Sequence, residues 1–460
     1  MYSNDINSAD TNASTGIDTN AGTVTKANHN CSLIFYYVIL LNKIEKNIVN
    51  YISRYDTKHL YTVNMSDLDL KVELRSYRPH DAIKRGQLEL NCSGEDCNEQ
   101  FINGLGRIAV ERLPMYAYAK GLIKIERINP ESGYHDSVPF NHDMMRMRLE
   151  NTPVMNVDPG FAILHERFWK NVDYRSPDRP VHENEKRIEV YIDSRNTAPE
   201  GDSESILHVT TNDIKVYIDD EPAEIYDKEY PLLIISLKPK EAFKCSMRAV
   251  LGVGVNHTCW DACSNFCFDQ ETDPDVTIAK FQSASQFDEF VLIDRAIEYY
   301  RTRANLLKDE IHRMYLLEKE PTERFQIEIM DEDHTMGEPI NYELQSHPDI
   351  HKSSNSKPDH LMKKIVLDIV AYDKDKLLNA ILESMDNLIA KIDKFEEEFN
   401  KIERPDGSSK GSSGSKKASS KTTSKTTTKS GSKSAETKQD IKSVRPSKTP
   451  AQKPGTKGKK

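Results

Sequence analysis

Three cysteines, Cys259, Cys263 and Cys267, recur every four residues in this 460-residue chain, and Cys245 lies close enough upstream to make a fourth donor. A zinc site is the chemistry such a set could hold, since zinc takes Cys and His ligands in closely spaced pairs around a tetrahedron. The spacing speaks against it. The stretch reads as a turn followed by a strand, in which residues four apart stand about 13 Å from one another. Buried or partly buried thiols are therefore expected, and Cys92 and Cys97, flanking the turn SGED, make a weaker metal candidate still. His334 beside Asp331 and Asp333 has the residue types for acid–base work. Its place just before a helix cap favours a turn-stabilising or partner-contacting role. Gly252-Val253-Gly254 lacks the third glycine and the following helix of a dinucleotide fingerprint and reads as a tight turn. No nucleophile elbow, Walker loop or spaced carboxylate pair is present, so the residues predict an interaction protein with no catalytic residue, metal or cofactor.

The elements around these residues repeat one plan: a short strand, a sharply started helix, more strands and a long amphipathic helix. In the first copy the opening helix lies in FINGLGRIAVERLPMYAY, from Phe101 to Tyr118, and ends near Leu113-Pro114, because proline removes a backbone donor. Its closing helix spans about Asp288 to Leu317. In the second copy the opener is DEDHTMGEPINYEL, from Asp331 to Leu344, with Thr335 and Glu338 spaced as a capping box and Pro339 in the first turn. Its closer spans about Lys374 to Asn400. Phe290, Ile293, Ile297, Tyr300, Ala304, Leu307, Ile311 and Met314 alternate steps of three and four, as do Leu378, Ile381, Met385, Leu388, Ile392, Phe395 and Phe399. Such a repeat keeps one apolar seam along helices roughly 40 Å long, so the two closers are suited to pair, although each could instead cover its own sheet.

Length allows two or three domains. The net charge of −10 is uneven: Arg404 to Lys460 holds 16 Lys+Arg against three acids, leaving the rest strongly acidic. An acidic body is a poor nucleic-acid binder, whereas the basic tail could neutralise phosphates in a salt-dependent way. Seven scattered cysteines suit a reducing compartment, and the apolar run Leu33–Leu41 is too short to span a bilayer. The chain divides into a disordered arm (1–30), an N-terminal extension (31–63), a first unit (64–122 and 261–317), an inserted block of short strands (123–260), a linker (318–324), a second unit (325–403) and a basic disordered tail (404–460). After a loop around Ser353 to His360, a strand at Lys364–Val370 leads into the last helix. The fold class is α+β.

FINGLGRIAVERLPMYAY resembles the first-helix signature of the RNA polymerase assembly subunits: the bacterial alpha N-terminal domain, the archaeal D subunit and the third-largest subunit of eukaryotic RNA polymerase II. Phe101, Asn103, Leu105, Arg107, Glu111, Leu113 and Pro114 match it. The stretch Leu237 to Trp260 is similar to the same family's leucine–basic–proline turn, glycine turn and His-x-x-Trp. DEDHTMGEPINYEL is similar to the archaeal L subunit and its counterpart, the eleventh subunit of the eukaryotic enzyme, through Asp333, His334, Thr335, Gly337, Tyr342, Glu343 and Leu344. The resemblances cover about residues 64 to 400. A fusion of the two partners in one chain points to the large nucleocytoplasmic DNA viruses. Gly106 replaces the first arginine of the first signature, and Glu338, Pro339 and Asn341 replace Asn, Leu and Arg of the second. The cysteine-rich loop that holds zinc or an iron–sulfur cluster in many relatives would fall between Asn156 and Lys186, where this chain has no cysteine.

The resemblance implies two alpha-subunit-like dimerisation units paired through long helices, one carrying an inserted β-rich domain. The implied function is that of a non-catalytic assembly platform, which docks the two large catalytic subunits and small polymerase subunits. Nucleic acid would be met only indirectly or through the tail, no membrane is involved, and the protein would work in the host cytoplasm or viral factory or be packaged in the virion. The implied assembly residues are Phe101, Asn103, Leu105, Arg107, Pro114, Phe290, Ile297, Leu307, Ile311, His334, Thr335, Gly337, Tyr342, Leu344, Ile381, Leu388 and Phe395, with Gly254, His257 and Trp260 as large-subunit contacts. A self-contained dimerising scaffold outside transcription is the alternative.

Overall fold

The computed structural model describes residues 65–78, 86–137, 139–202, 204–270, 276–284, 286–318 and 322–404. The expectations for the arm, the N-terminal extension and the tail from residue 405 lie outside these residues. Strands β1 (Lys71–Arg78) and β2 (Gln87–Ser93) lead into α1 (Glu99–Glu111), followed by β3 (Pro114–Tyr118), β4 (Lys124–Glu126), β5 (His135–Asp136) and α2 (His142–Glu150). Next come β6 (Ile188–Arg195), β7 (Leu207–Thr210), β8 (Lys215–Ile218), β9 (Glu221–Ala223), β10 (Leu233–Leu237) and β11 (Glu241–Val253). Strands β12 (Cys263–Gln270) and β13 (Val276–Ser283) precede the long helix α3 (Glu289–Leu317). The remainder is β14 (Arg324–Met330), α4 (His334–Ser346), β15 (Ile350–Ser356), β16 (Lys364–Ala371) and α5 (Lys374–Asn400).

These elements form an α+β architecture with two hydrophobic cores. An antiparallel sheet ordered β1-β2-β13-β12 and a second ordered β14-β16-β15 enclose α1, α3, α4 and α5 in the first core. The second core lies on the sheet β3-β11-β6-β8-β9, to which β4 and β5 add on β11, and takes in α2 and the β7-β10 ribbon. Two strands serve both cores. Met115 and Ala117 of β3 face the first core and Tyr116 and Tyr118 the second; on β11, Val250 faces the first and Ala249, Leu251 and Val253 the second. The period of two along a strand makes this division possible. The edge of β3 away from β11 is covered by Gln286, which accepts from the Tyr116 N–H at 3.0 Å and donates to its carbonyl at 2.6 Å.

Each helix starts where a short polar side chain satisfies an orphan amide. Asn98 accepts from Phe101 N at 2.8 Å to start α1, Asp288 from Val291 N at 2.9 Å to start α3, and Asp373 from Asp375 N at 3.0 Å to start α5. At α4 the cap is Asp333, accepting from Thr335 N at 2.8 Å, and not the expected Thr335–Glu338 box. Glu338 is engaged elsewhere, beside His334 at 3.1 Å and Asn355 at 3.0 Å. Because the helix begins at His334, Pro339 falls beyond the first turn. The Thr335 carbonyl, four residues before it, faces Gly104 of α1, where a first side-chain carbon would sit 3.1 Å from that oxygen and 3.2 Å from the proline ring.

Helices α3 and α5 cross antiparallel, with Arg301 against Asp393 and Glu396, and Lys308 against Asp386. The buried stripe of α5 begins at Leu377, one residue before the expected Leu378, which is only half-buried. Arg404, assigned to the tail from sequence, belongs to the folded body: its guanidinium makes two bonds of 2.8 Å to Asp294 and lies over the Phe290 and Phe399 rings. Ser353 to Ser356, read as loop, form the second half of β15, and β11 and β13 were not foreseen as strands.

Candidate assembly interface

Aromatic side chains build the seam from both ends of the sequence. Phe101 of α1 is stacked on Tyr300 of α3 at 5.5 Å and tilted against Phe395 of α5 at 5.6 Å, so one ring touches three helices. Phe290 meets Phe399 at 5.9 Å and Tyr77 of β1 at 5.3 Å. Around them Leu105, Ile297, Leu307, Ile311, Leu344, Ile381 and Leu388 are all buried in the same core. A fully buried side chain of this kind contributes about 1.5–3 kcal/mol, which is why the stripe, not helix propensity, holds the helices together.

Other implied assembly residues sit differently. Pro114 is buried at the head of β3, and Asn103 is exposed on the outer face of α1. Arg107 is partly exposed and points a guanidinium nitrogen at Glu111 and Asp333. Thr335 and Gly337 are buried at the head of α4, where a side chain on Gly337 would meet the Asn355 amide at 2.6 Å. His334 has one ring nitrogen 3.0 Å from that amide, so it braces the turn. Half-buried Tyr342 lies 5.8 Å from Lys391 Nζ. Of the three implied large-subunit contacts, His257 is exposed and Gly254 partly so, but Trp260 is an interior residue. Its indole donates to the Val250 carbonyl at 3.0 Å and packs so closely on Gly252 that a side-chain carbon there would lie 2.5 Å away. Trp260 therefore packs beneath the end of β11: Gly252 and Val253 are strand, paired with Met115 and Pro114, and the turn expected of Gly252-Val253-Gly254 begins only at Gly254.

Gly106, the departure from the family signature, has a direct cause. The ring of Phe266 on β12 occupies the place of a side chain, with atoms 1.9–2.2 Å from where the first carbon would be. Aromatic packing has taken the space that an arginine holds in the signature.

Two ionic clusters that the sequence reading missed cross this core. Arg112, at the C-cap of α1, lies 3.0 Å from Asp333 and 3.9 Å from Glu332, and Glu332 also pairs with Arg303 of α3. Lys391 of α5 bridges Glu343 at 2.7 Å and Asp96 at 3.0 Å. Burial holds the Glu332 carboxyl above its ordinary value, an effect that Arg112 and Arg303 only partly offset. Asp333 is also pushed up by burial, but Arg112 and the cap bonds outweigh this and hold it low. Arg112 and Asp333 are 221 residues apart in sequence, and Lys391 and Asp96 farther still, so no local spacing announces them.

Among the described residues, the cysteines do not come together as a metal set. Cys245 lies in the second core and Cys263 in the first, while Cys267 is exposed on β12. Burial pushes Cys245 and Cys259 up to about 12 and Cys263 up to about 11. Cys259 does come within 4.8 Å of Glu150 and His257. The tautomer argues against a cation there: His257 Nδ1 accepts from the Cys259 N–H at 3.2 Å, so the neutral ring carries its proton on Nε2, the nitrogen that faces Glu150 at 3.9 Å. The segment 156–186, where the resemblance would place a metal-binding loop, is held by packing and ion pairs. His182 is stacked on Phe161 at 4.5 Å, and the segment is fastened by the buried Arg179–Glu185 pair at 2.6 Å and by the Lys186 N–H donating to the Tyr116 hydroxyl at 2.8 Å.

Residues 324–398, which supply β14, α4, β15, β16 and nearly all of α5, match the RNA polymerase Rpb3/Rpb11 dimerisation domain. Over 312 residues, 63% of this chain and 84% of the other, the chain is 23% identical to a protein of Acanthamoeba polyphaga mimivirus named as a DNA directed RNA polymerase subunit. Both matches support an RNA polymerase assembly subunit of giant-virus type, the family that the α1 and α4 motifs resemble. Among the described residues no helix is long and apolar enough to cross a membrane.

Proposed function

We propose that residues 64–122 with 261–317 and residues 325–403 are two dimerisation units paired within one polypeptide, and that residues 123–260 are a β-rich domain inserted into the first. In this reading the pair is a non-catalytic assembly subunit of a multisubunit DNA-directed RNA polymerase, and it docks the two large catalytic subunits in the host cytoplasm or viral factory. The observation that carries it is the packing of α4 and α5, from the segment that matches the dimerisation domain, against α1 and α3 in one hydrophobic core. The site is built for packing: Arg112 and Asp333 are paired across the seam, Lys391 is paired with Glu343, and burial raises the Cys245, Cys259 and Cys263 thiols. Of the implied assembly residues, Asn103 and His257 are exposed and Arg107, Gly254, His334 and Tyr342 partly so, which leaves them accessible for the large subunits.

Coexpression of fragments 1–320 and 321–460 tests the pairing. The two should copurify one to one, because the linker supplies effective concentration and not the contact itself. Fragments that are each well folded and never associate would refute it. A tagged full-length chain drawn from its native source should bring down both large subunits, and recovery without them would remove the assembly role.

A further inference from the structure

We propose that the ion pairs flanking the seam decide what each half accepts: each admits the opposite half, from the same chain or from another copy, and refuses its own kind. The inference rests on the paired reading above and concerns what makes that pairing selective. Helices α3 and α5 bury apolar stripes of the same spacing. Hydrophobic attraction is non-directional, so those stripes alone would let α3 meet α3 as readily as α5.

The charges break this symmetry. On the first half the flanking groups are Arg301, Arg303 and Lys308 of α3, with Arg112 at the end of α1. Each faces acids of the second half: Asp386, Asp393 and Glu396 on α5, Glu332 and Asp333 at the head of α4. Two pairs run the other way, Asp96 to Lys391 and Asp294 to Arg404. Self-pairing with the two stripes superposed, Tyr300 on Leu388, would set Arg301 against Lys308 between two copies of α3 and Asp386 against Glu396 between two copies of α5. Partly exposed pairs of this sort add little stability, but like charges at the same positions exclude a wrong partner, as at the flanks of a coiled coil.

Two full-length variants test this. In R301E/K308E both flanks become acidic, and in D386K/D393K/E396K both become basic. Each alone should lose melting temperature. Mixed, they should form a one-to-one swapped dimer, visible by native mass spectrometry, in which the acidic α3 of one meets the basic α5 of the other, with recovery of the melting temperature. The chain carrying all five substitutions should melt near the wild type by itself, showing that the reversed residues are tolerated. If both partial variants melt as the wild type does and stay apart, or if both lose stability and mixing restores nothing, the charges do not select the partner. A wild-type chain cleaved in the linker separates the two levels: if it falls apart, the pairing itself fails; if it holds while the variants behave as wild type, only the selectivity fails.

Discussion

The first core draws its side chains from Leu70 to Phe399, across most of the described chain, whereas the second is closed by residues between Tyr116 and Val253. Their buried polar groups differ in the same way. In the second core the pairs stay within that stretch: Arg179 with Glu185, and the Tyr118 and Tyr226 hydroxyls 3.1 Å apart. In the first they join remote segments, Arg112 to Asp333 and Lys391 to Asp96. A core that must gather distant segments needs register as well as apolar area, and ionic clusters that are costly to leave half-paired provide it. The second core gets register from strand pairing on β11, where one slipped residue would turn its whole apolar face outward.

The most disruptive way to break the comparison is a charge in the seam. Leu307→Asp or Leu388→Asp puts an unpaired carboxylate where the native side chain is at most 1% exposed, and should cost more than about 4 kcal/mol. The two tryptophans report separately, Trp260 from the first core and Trp169 from the edge of the second. In the wild type both should unfold in one urea transition, because β3 and β11 supply side chains to both cores; two separated transitions in single-tryptophan variants would show them independent. An unchanged melt in both aspartate variants would place these leucines outside the seam.

A smaller effect comes from placing at position 106 the arginine of the signature that α1 resembles. Gly106→Arg drives a side chain into the Phe266 ring and should cost about 1–3 kcal/mol by overpacking. Adding Phe266→Ala should return much of that loss, since the obstructing ring is gone. A double variant as unstable as the single one would mean that α1 itself, not the ring, rejects the larger residue. Arg404→Ala should cost about 1 kcal/mol through its bidentate pair and ring contacts, and a chain ending at Glu403 should melt below one ending at Arg404.

What was legible in the sequence follows the same division. Helices α3 and α5 could be read almost to the residue, because a stripe at helical spacing is a repeated local signal with clear caps at Asp288 and Asp373. β11 was missed: its burial alternates from Phe243 to Ala249 and is continuous at both ends, so neither period fits the whole. β15, IHKSSNS, has almost no strand propensity and is a strand because β16 pairs with it and Ser353 is buried under Asn341. The α4 cap was misplaced because DEDHT offers several suitable oxygens, and tertiary contacts of Glu338 with Asn355 decide among them. The ionic clusters and the Phe266–Gly106 contact join segments far apart in sequence, and only the fold brings them together.

The subtlest test uses the adjacent acids Glu332 and Asp333, whose shifts have opposite signs. Glu332 is raised above its ordinary 4.5, so the folded state resists its ionisation. Its contribution favours folding below that value and is lost as pH climbs through the folded-state value. Asp333 is lowered from 3.8, so its contribution is present above 3.8 and is lost as pH falls through the folded value. The stability of Glu332→Gln minus that of the wild type should therefore rise with pH above about 4.5 and then level off, because the amide cannot ionise. For Asp333→Asn the difference should move the other way, growing more negative as pH rises through about 3.8. Denaturant titrations at half-unit pH steps would resolve the two slopes. Parallel slopes would mean that Arg112 and Arg303 stabilise both carboxylates alike and that burial does not dominate at Glu332. The first core would then be crossed by a simple salt-bridge network, instead of one in which burial opposes the charge of the acid beneath the arginines.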